Sequence, residues 1–138
     1  MIGEVEMLQS MILSLDDAKR VAAAARAEAE KNGWDIVIAV VDDGGHLMYL
    51  ERMDGAQKAS SRIAEKKGRT AILFKRPTKA IEKVVLEERI TMLGLPGAVP
   101  LEGGVPLVKD GRYVGGIGVS GVQSFQDGIV AQAGAAAL

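Results

Sequence analysis

Five side chains in this 138-residue chain sit where acid–base or anion chemistry could be built. Glu102 stands directly before Gly103-Gly104, and Asp127 falls three residues after Ser124, where a helical pattern opens. If the two carboxyl groups converge they form an acid/base pair, with Lys67 or Arg52 anchoring a substrate carboxylate. Lys67 lies on the apolar stripe of a helical segment, one turn from Ile63 and from Ala71. A lysine there either snorkels its ammonium to water or points into a cleft. His46 is the only histidine, so a Ser-His-Asp triad would have to use it, and a multi-histidine metal site is impossible within one chain. It stands beside Asp42-Asp43-Gly44-Gly45, whose plainer use is to make a turn. The spacing of those acids does not match an EF-hand loop.

The stretch that must position this chemistry runs from Glu102 to Asp127, EGGVPLVKDGRYVGGIGVSGVQSFQD. Asp110-Gly111 between two apolar runs predicts a hairpin. Alternation with period two puts Tyr113, Ile117 and Val119, with Gly115, on one face of the return strand. Val114, Gly116, Gly118 and Ser120 fall on the other, which is nearly bare of side chains. Glycine weakens strands, so something must come close to that backbone: a packed helix, another subunit or a ligand. Ser124-x-x-Asp127 reads as a capping box, and a helix N-terminus facing a bare strand is an anion site. On the ligand reading the pocket is lined by Gly103, Gly104, Val105, Gly116, Gly118, Ser120 and Gly121. Gly115-Gly116-Ile117-Gly118 is not a dinucleotide fingerprint, because it does not open a helix after a parallel strand.

The remaining elements follow from caps and periodicity. Ser14 caps a first helix carried by Leu15, Ala18, Ala22, Ala25 and Ala29, and Lys31-Asn32-Gly33 stops it. Ile36–Val41 is a continuous apolar run, the mark of a strand buried on both faces. After the Asp42–Gly45 turn, His46–Arg52 returns as its hairpin partner. Residues 56–74 read as helix, Arg76-Pro77 breaks it, and Thr78 caps another helix that ends before Gly94 and Pro96. Two hairpins separated by helices, with a helix at each end, predict an α+β fold of one domain: a single antiparallel sheet with helices packed on it.

Composition excludes whole classes. Apolar content is 48% and net charge −1, so neither disorder nor a polyanion-seeking surface is indicated. Nucleic-acid binding is disfavoured, since no basic stripe interleaved with aromatics appears among one Trp, two Tyr and two Phe. The absence of cysteine removes disulfides and thiolate chemistry and fits a cytosolic chain. The N-terminus, MIGEVEMLQSMIL, has glutamates where a signal peptide needs positive charge, and the alanine-rich C-terminus is too short to span a bilayer. A cytoplasmic protein with no membrane partner is expected.

Taken together, LSLDDA, VVDDGGHLMYLERMDGA, KGRTAILFKRPT, EGGVPL and GGIGVSG followed by QD and the alanine-rich helix resemble the GlcG/HbpS-like family, which also forms the C-terminal domain of PduO-type proteins. The match divides the chain into an N-terminal extension, 1–12, and a GlcG/HbpS-like domain, 13–138. The resemblance implies a profilin-like fold, a homo-oligomer and a small-ligand pocket near the GGVP and GVSG segments. Some family members bind haem, and others lie beside genes for glycolate, diol or aromatic-compound catabolism. Haem ligation in the PduO-type domain is associated with a histidine near the first helix, and this chain has none there. His46, with Met48, Tyr49 and Met53 nearby, is the remaining axial candidate.

Three readings follow. The leading one is an oligomeric protein binding a small anionic metabolite, with Arg52, Lys67 and the Asp127 helix start supplying polarity and no certain cofactor. The second is a cofactor-independent hydrolase or tautomerase acting on a carboxylate metabolite, with Glu102 or Asp127 as base and Lys67 as electrostatic stabiliser. The third is a haem-binding protein using His46.

Overall fold

The structure, a computed structural model, describes residues 6–138; residues 1–5 of the N-terminal extension, with their part of the signal-peptide reading, lie outside the described residues. Ser14 opens α1 (Leu15–Asn32) with a reciprocal capping box, its hydroxyl accepting from the Asp17 N–H while the Asp17 carboxylate accepts from the Ser14 N–H. Gly33 closes the helix by donating to the Ala29 and Glu30 carbonyls. The small stripe is Ala18, Ala22, Ala25 and Ala29 with Val21; Leu15, expected on it, is half exposed instead.

Four strands form one antiparallel sheet: β1 (Val37–Asp42), β2 (Leu47–Arg52), β3 (Gly104–Lys109) and β4 (Arg112–Ser120), in the order β2-β1-β4-β3. The expected α+β class and single sheet are what the chain builds. β1 is central, and its continuous apolar run is used on both faces. Ile38 and Val40 enter the main core with α1 and α4 (Ser124–Ala135), whereas Val37 and Ala39 face Ala64 of α2 (Ser60–Phe74) on the other side. The Asp110-Gly111 turn forms with both residues at positive φ, 50° and 74°, the twist a tight hairpin needs. α3 (Thr78–Glu87) and a 3₁₀ turn (Ile90–Gly94) fill the connection from α2 to β3.

One expectation fails at a bulge. Gly115 pairs with Leu107 but Tyr113 pairs with Val108, so Val114 is an extra residue and the side-chain alternation shifts there. Val114 therefore joins the core with Leu13 and Ile117. Tyr113, expected beside Ile117 and Val119, lies under the Lys75 ammonium, 5.6 Å from its ring centroid.

The bare face of β4 is covered by α2. A Cβ on Gly116 would strike the Gly68 carbonyl, and one on Gly118 would strike the Ala64 carbonyl. Close helix packing, among the three occupants weighed from the sequence, is what fills that face.

Candidate functional site

Lys67 projects from the buried face of α2, between Ala64 and Ala71, and does not reach water: its side chain is 2% exposed. It runs past the start of β3, where its ammonium donates to the Val119 carbonyl and to Asp127 Oδ2, both at 3.1 Å. The other oxygen of Asp127 accepts the Val122 N–H at 3.2 Å, and this carboxylate too is 2% exposed. The expected capping box at Ser124 and Asp127 is displaced by one residue. Gln123 is the N-cap and pairs reciprocally with Gln126, which frees Asp127 to turn inward. Burial pushes the Asp127 carboxyl up from its ordinary range, against the nearby Lys67 charge and the Val122 N–H, which favour the ionised form.

Gly103 and Gly104 exist as glycines because Lys67 occupies their side-chain space. At Gly103 (φ 131°) a Cβ would lie 2.6 Å from the Val119 carbonyl oxygen and 2.8 Å from the Lys67 ammonium. At Gly104 it would strike the Lys67 backbone carbonyl. The Gly104 N–H donates to the Thr78 hydroxyl at 2.9 Å, so Thr78 braces β3 rather than capping α3 as the sequence suggested.

On the outer side of these glycines is a cleft of about 400 Å³, a size that suits a small metabolite. Glu102 to Val105 form its floor, Pro77 and Lys79 one wall, and Gly128, Ile129 and Gln132 of α4 the other. Glu102 lies across Gly128, where a Cβ would come within 2.6 Å of its carboxylate, and stands 4.0 Å from the Lys79 ammonium. Pro77, the N-cap of α3, offers no side-chain cap, and no acidic residue occupies the first turn. That leaves the positive end of the helix dipole at the wall formed by Pro77 and Lys79.

The structure thus brings together Glu102, Gly103, Gly104 and Val105 and sets Lys67 and Asp127 directly behind the glycines, sealed from the cleft. Neither buried group can touch a ligand. The other expected lining residues are elsewhere. Gly116 and Gly118 lie under α2, and Ser120 is buried with its hydroxyl donating to Ser60 at 3.0 Å. Gly121 backs onto the Asp35 carbonyl. Arg52 stands on β2, with β1 and β4 between it and β3. The residues that sequence reasoning missed are Pro77, Lys79, Gly128, Ile129 and Gln132. Lys79 had a readable signal, a cation in an acid-free first helical turn after a proline break.

His46 is at the far end of the sheet from the cleft, past Asp42, whereas Gly104 pairs level with Gly118 and Ala39. Asp42 Oδ1 accepts from the His46 ring at 3.1 Å and from the backbone N–H groups of Gly44 and His46. Partial burial opposes the charged form of Asp42, but these donors outweigh it and hold the carboxyl below its usual range. A carboxylate only accepts, so the proton is on Nδ1 and Nε2 is left free on a side chain that is 79% exposed. Haem iron is ordinarily held by His, Cys, Met or Tyr, and among the described residues none of these lines the cleft. Of the donors close to His46 in sequence, Met53 lies at the opposite end of β2, where its sulfur accepts from the Ile36 N–H, and the Tyr49 hydroxyl donates to Glu51. The cleft does not fit haem by axial ligation; His46 lies outside it, on the surface. Among the described residues no cluster of three or more His, Cys, Asp or Glu side chains could hold a metal ion, and no helix is long and apolar enough to cross a membrane.

Comparison with known proteins agrees with this geometry. Residues 13–136 match the family model described as "Haem degrading protein HbpS-like". Protein GlcG of Escherichia coli (strain K12) is 46% identical over 114 residues, covering 83% of this chain and 85% of the relative. A crystal structure of a double mutant of Streptomyces reticuli HbpS superposes with a TM-score of 0.89 at 37% identity, covering all of this chain and 94% of that one. The crystal structure of a PduOC–haem complex gives 0.82 at 32% identity, covering 93% of this chain and 96% of that one. The α+β sheet is therefore that of a known family, and the chain belongs to the HbpS-like family.

Proposed function

We propose that the cleft beside Gly103 and Gly104 binds a small organic acid, and that the protein serves catabolism of such acids or of aromatics. The observation that supports this most is the wall made by Lys79 and the uncapped first turn of α3, across the cleft from α4. A carboxylate docked there replaces the loose 4.0 Å Glu102–Lys79 contact, and Glu102 is then free to accept a hydrogen bond from a ligand hydroxyl. Calorimetric titration with a panel of two- to four-carbon carboxylates tests the reading. Saturable binding is expected for at least one acid, weakened about tenfold or more by Lys79→Met, since a charge-assisted hydrogen bond contributes roughly 1.5–3 kcal/mol. Affinity that is unchanged in Lys79→Met removes the cleft from consideration.

The enzymatic alternative rests on Glu102, among the described residues the only carboxylate lining the cleft. It is the proton-transfer group of that reading, and neither Asp127 nor Lys67 can contribute directly from behind the glycines. Turnover lost in Glu102→Gln with binding retained selects this reading over simple binding.

A homo-oligomer and haem binding belong to the same family expectation, although His46, the haem candidate here, departs from the first-helix histidine associated with the PduO-type domain. Apolar exposure on α3 and the turn after it, Leu86 at 77%, Ile90 at 72% and Leu93 at 56%, supports assembly. Native mass spectrometry with and without one equivalent of haemin reads both. The expected result is an oligomer whose mass is unchanged by haemin, because the cleft offers no axial donor. Stoichiometric haem uptake that disappears in His46→Ala would establish the haem reading instead.

A further inference from the structure

We infer that a second, independent site lies on the outer face of α2, and that it takes a small phosphate monoester carrying hydroxyl groups. Arg62, Lys66 and Arg69 recur at four and three residues along α2, which places them on one stripe of the helix. They face the Gly97–Val99 segment across a groove of about 340 Å³. The groove is held open by specific bonds. The Thr70 hydroxyl donates to the Lys66 carbonyl at 2.7 Å and accepts the Val99 N–H at 3.0 Å, which fixes the position of Val99 on α2. The loop itself contributes no acid, and at Gly97 the space beside the backbone is empty to at least 4 Å.

Charge selects the ligand class. Among the described residues, none of the three cations forms an ion pair within 4.0 Å, and the single acid in the groove, Glu65, has no such partner either. The groove therefore carries about two uncompensated positive charges on a chain whose formal net charge is −1. A phosphate monoester bears roughly −1.5 to −2 at neutral pH and presents three acceptor oxygens. Two guanidinium forks and an ammonium match that geometry better than they match a single carboxylate. Glu65 can only accept when ionised, so it suits a ligand hydroxyl and not the phosphate itself. The stem of Arg69 passes over Gly45, its Cγ lying 2.8 Å from where a Gly45 Cβ would stand.

The test uses the full chain, glycerol 3-phosphate as probe and glycerol as the neutral control, followed by backbone amide shifts in NMR. Saturable shifts at residues 62–69 and 97–99 with glycerol 3-phosphate and none with glycerol are expected. Arg62→Gln with Lys66→Gln, both exposed and unpaired, should weaken the affinity at least tenfold while leaving the unfolding midpoint unchanged. Lys79→Met should leave it unaltered, which keeps this site separable from the organic-acid cleft. Shifts that map to the Gly103 cleft, or affinity that survives the double replacement, overturn the assignment.

Discussion

Replacing Lys67 with methionine is expected to destabilise the fold by about 3–5 kcal/mol, because it strands a buried carboxylate that has lost its partner. Methionine fills most of the space along the Lys67 stem, so the loss reports the charge and not a cavity. Urea unfolding at neutral pH measures it. The pH dependence carries a sharper signature. Burial already pushes the Asp127 carboxyl above its ordinary value with Lys67 beside it. A folded-state pKa above the unfolded one means that the folded chain holds the proton more tightly; the group's stabilising contribution is complete in acid and is lost as pH rises through the folded pKa. Without Lys67 that pKa climbs further, so the penalty of Lys67→Met is expected to shrink steadily from neutral pH toward about pH 4. Asp127→Asn keeps the acceptor for the Val122 N–H but leaves the ammonium without a counter-charge. The two replacements together should cost less than their sum, by about 1–3 kcal/mol of coupling. Strict additivity, or a pH-independent penalty, would mean that the two groups do not share one buried charge pair.

That pair also explains how a cleft can be rigid while made of glycine. The Val119 carbonyl and the Lys67 ammonium occupy the side-chain space of Gly103, and the Thr78 hydroxyl ties down the Gly104 N–H. The floor is thus fixed from behind by charge and hydrogen bonds, and its ligand side stays bare. On the proposed ligand-binding reading, Lys67 and Asp127 are positioning residues for the cleft, a role distinct from the substrate contacts expected from the sequence.

What could be read from the sequence was local. The Ser14 N-cap, the Asp110-Gly111 turn and the doubly buried β1 are each decided within a few residues, and each formed as its pattern requires. Segment patterning also sufficed for the single antiparallel sheet. The site was legible only in part, since its geometry depends on contacts across the chain. Lys67 meets Asp127 sixty positions away, and periodicity says which face a lysine is on but not what stands opposite. Arg52 shares an end of the sheet with the cleft, yet strand order puts two strands between them. The capping box slipped to Gln123 and Gln126, because an Asp127 turned inward is worth more to Lys67 than to a helix end already satisfied by glutamine. Tyr113 and Val114 exchanged faces through a one-residue bulge, which no alternation rule anticipates.

The glycine face of β4 yields the second large effect. Gly118→Ala is expected to cost about 3 kcal/mol, at the upper end of what overpacking does to a core. Its Cβ would fall on the Ala64 carbonyl and beside the Gly68 N–H, both backbone groups of α2 that cannot rotate aside. The helix must move as a body, and Lys67 moves with it, so the replacement should also loosen the cleft floor and weaken any ligand held there. Gly68→Ala, on the other side of the same contact, places its Cβ 3.0 Å from the Gly118 nitrogen, a milder approach. Part of its cost is offset by the roughly 1 kcal/mol that alanine gains over glycine inside a helix. Gly94→Ala meets nothing within 4 Å and should stay within about 0.5 kcal/mol of the parent. Denaturant unfolding of the three variants is expected to rank them in that order. A Gly118→Ala protein as stable as Gly94→Ala would show that α2 does not lie against the β4 backbone, and the explanation of the glycine stripe as a helix seat would fall with it.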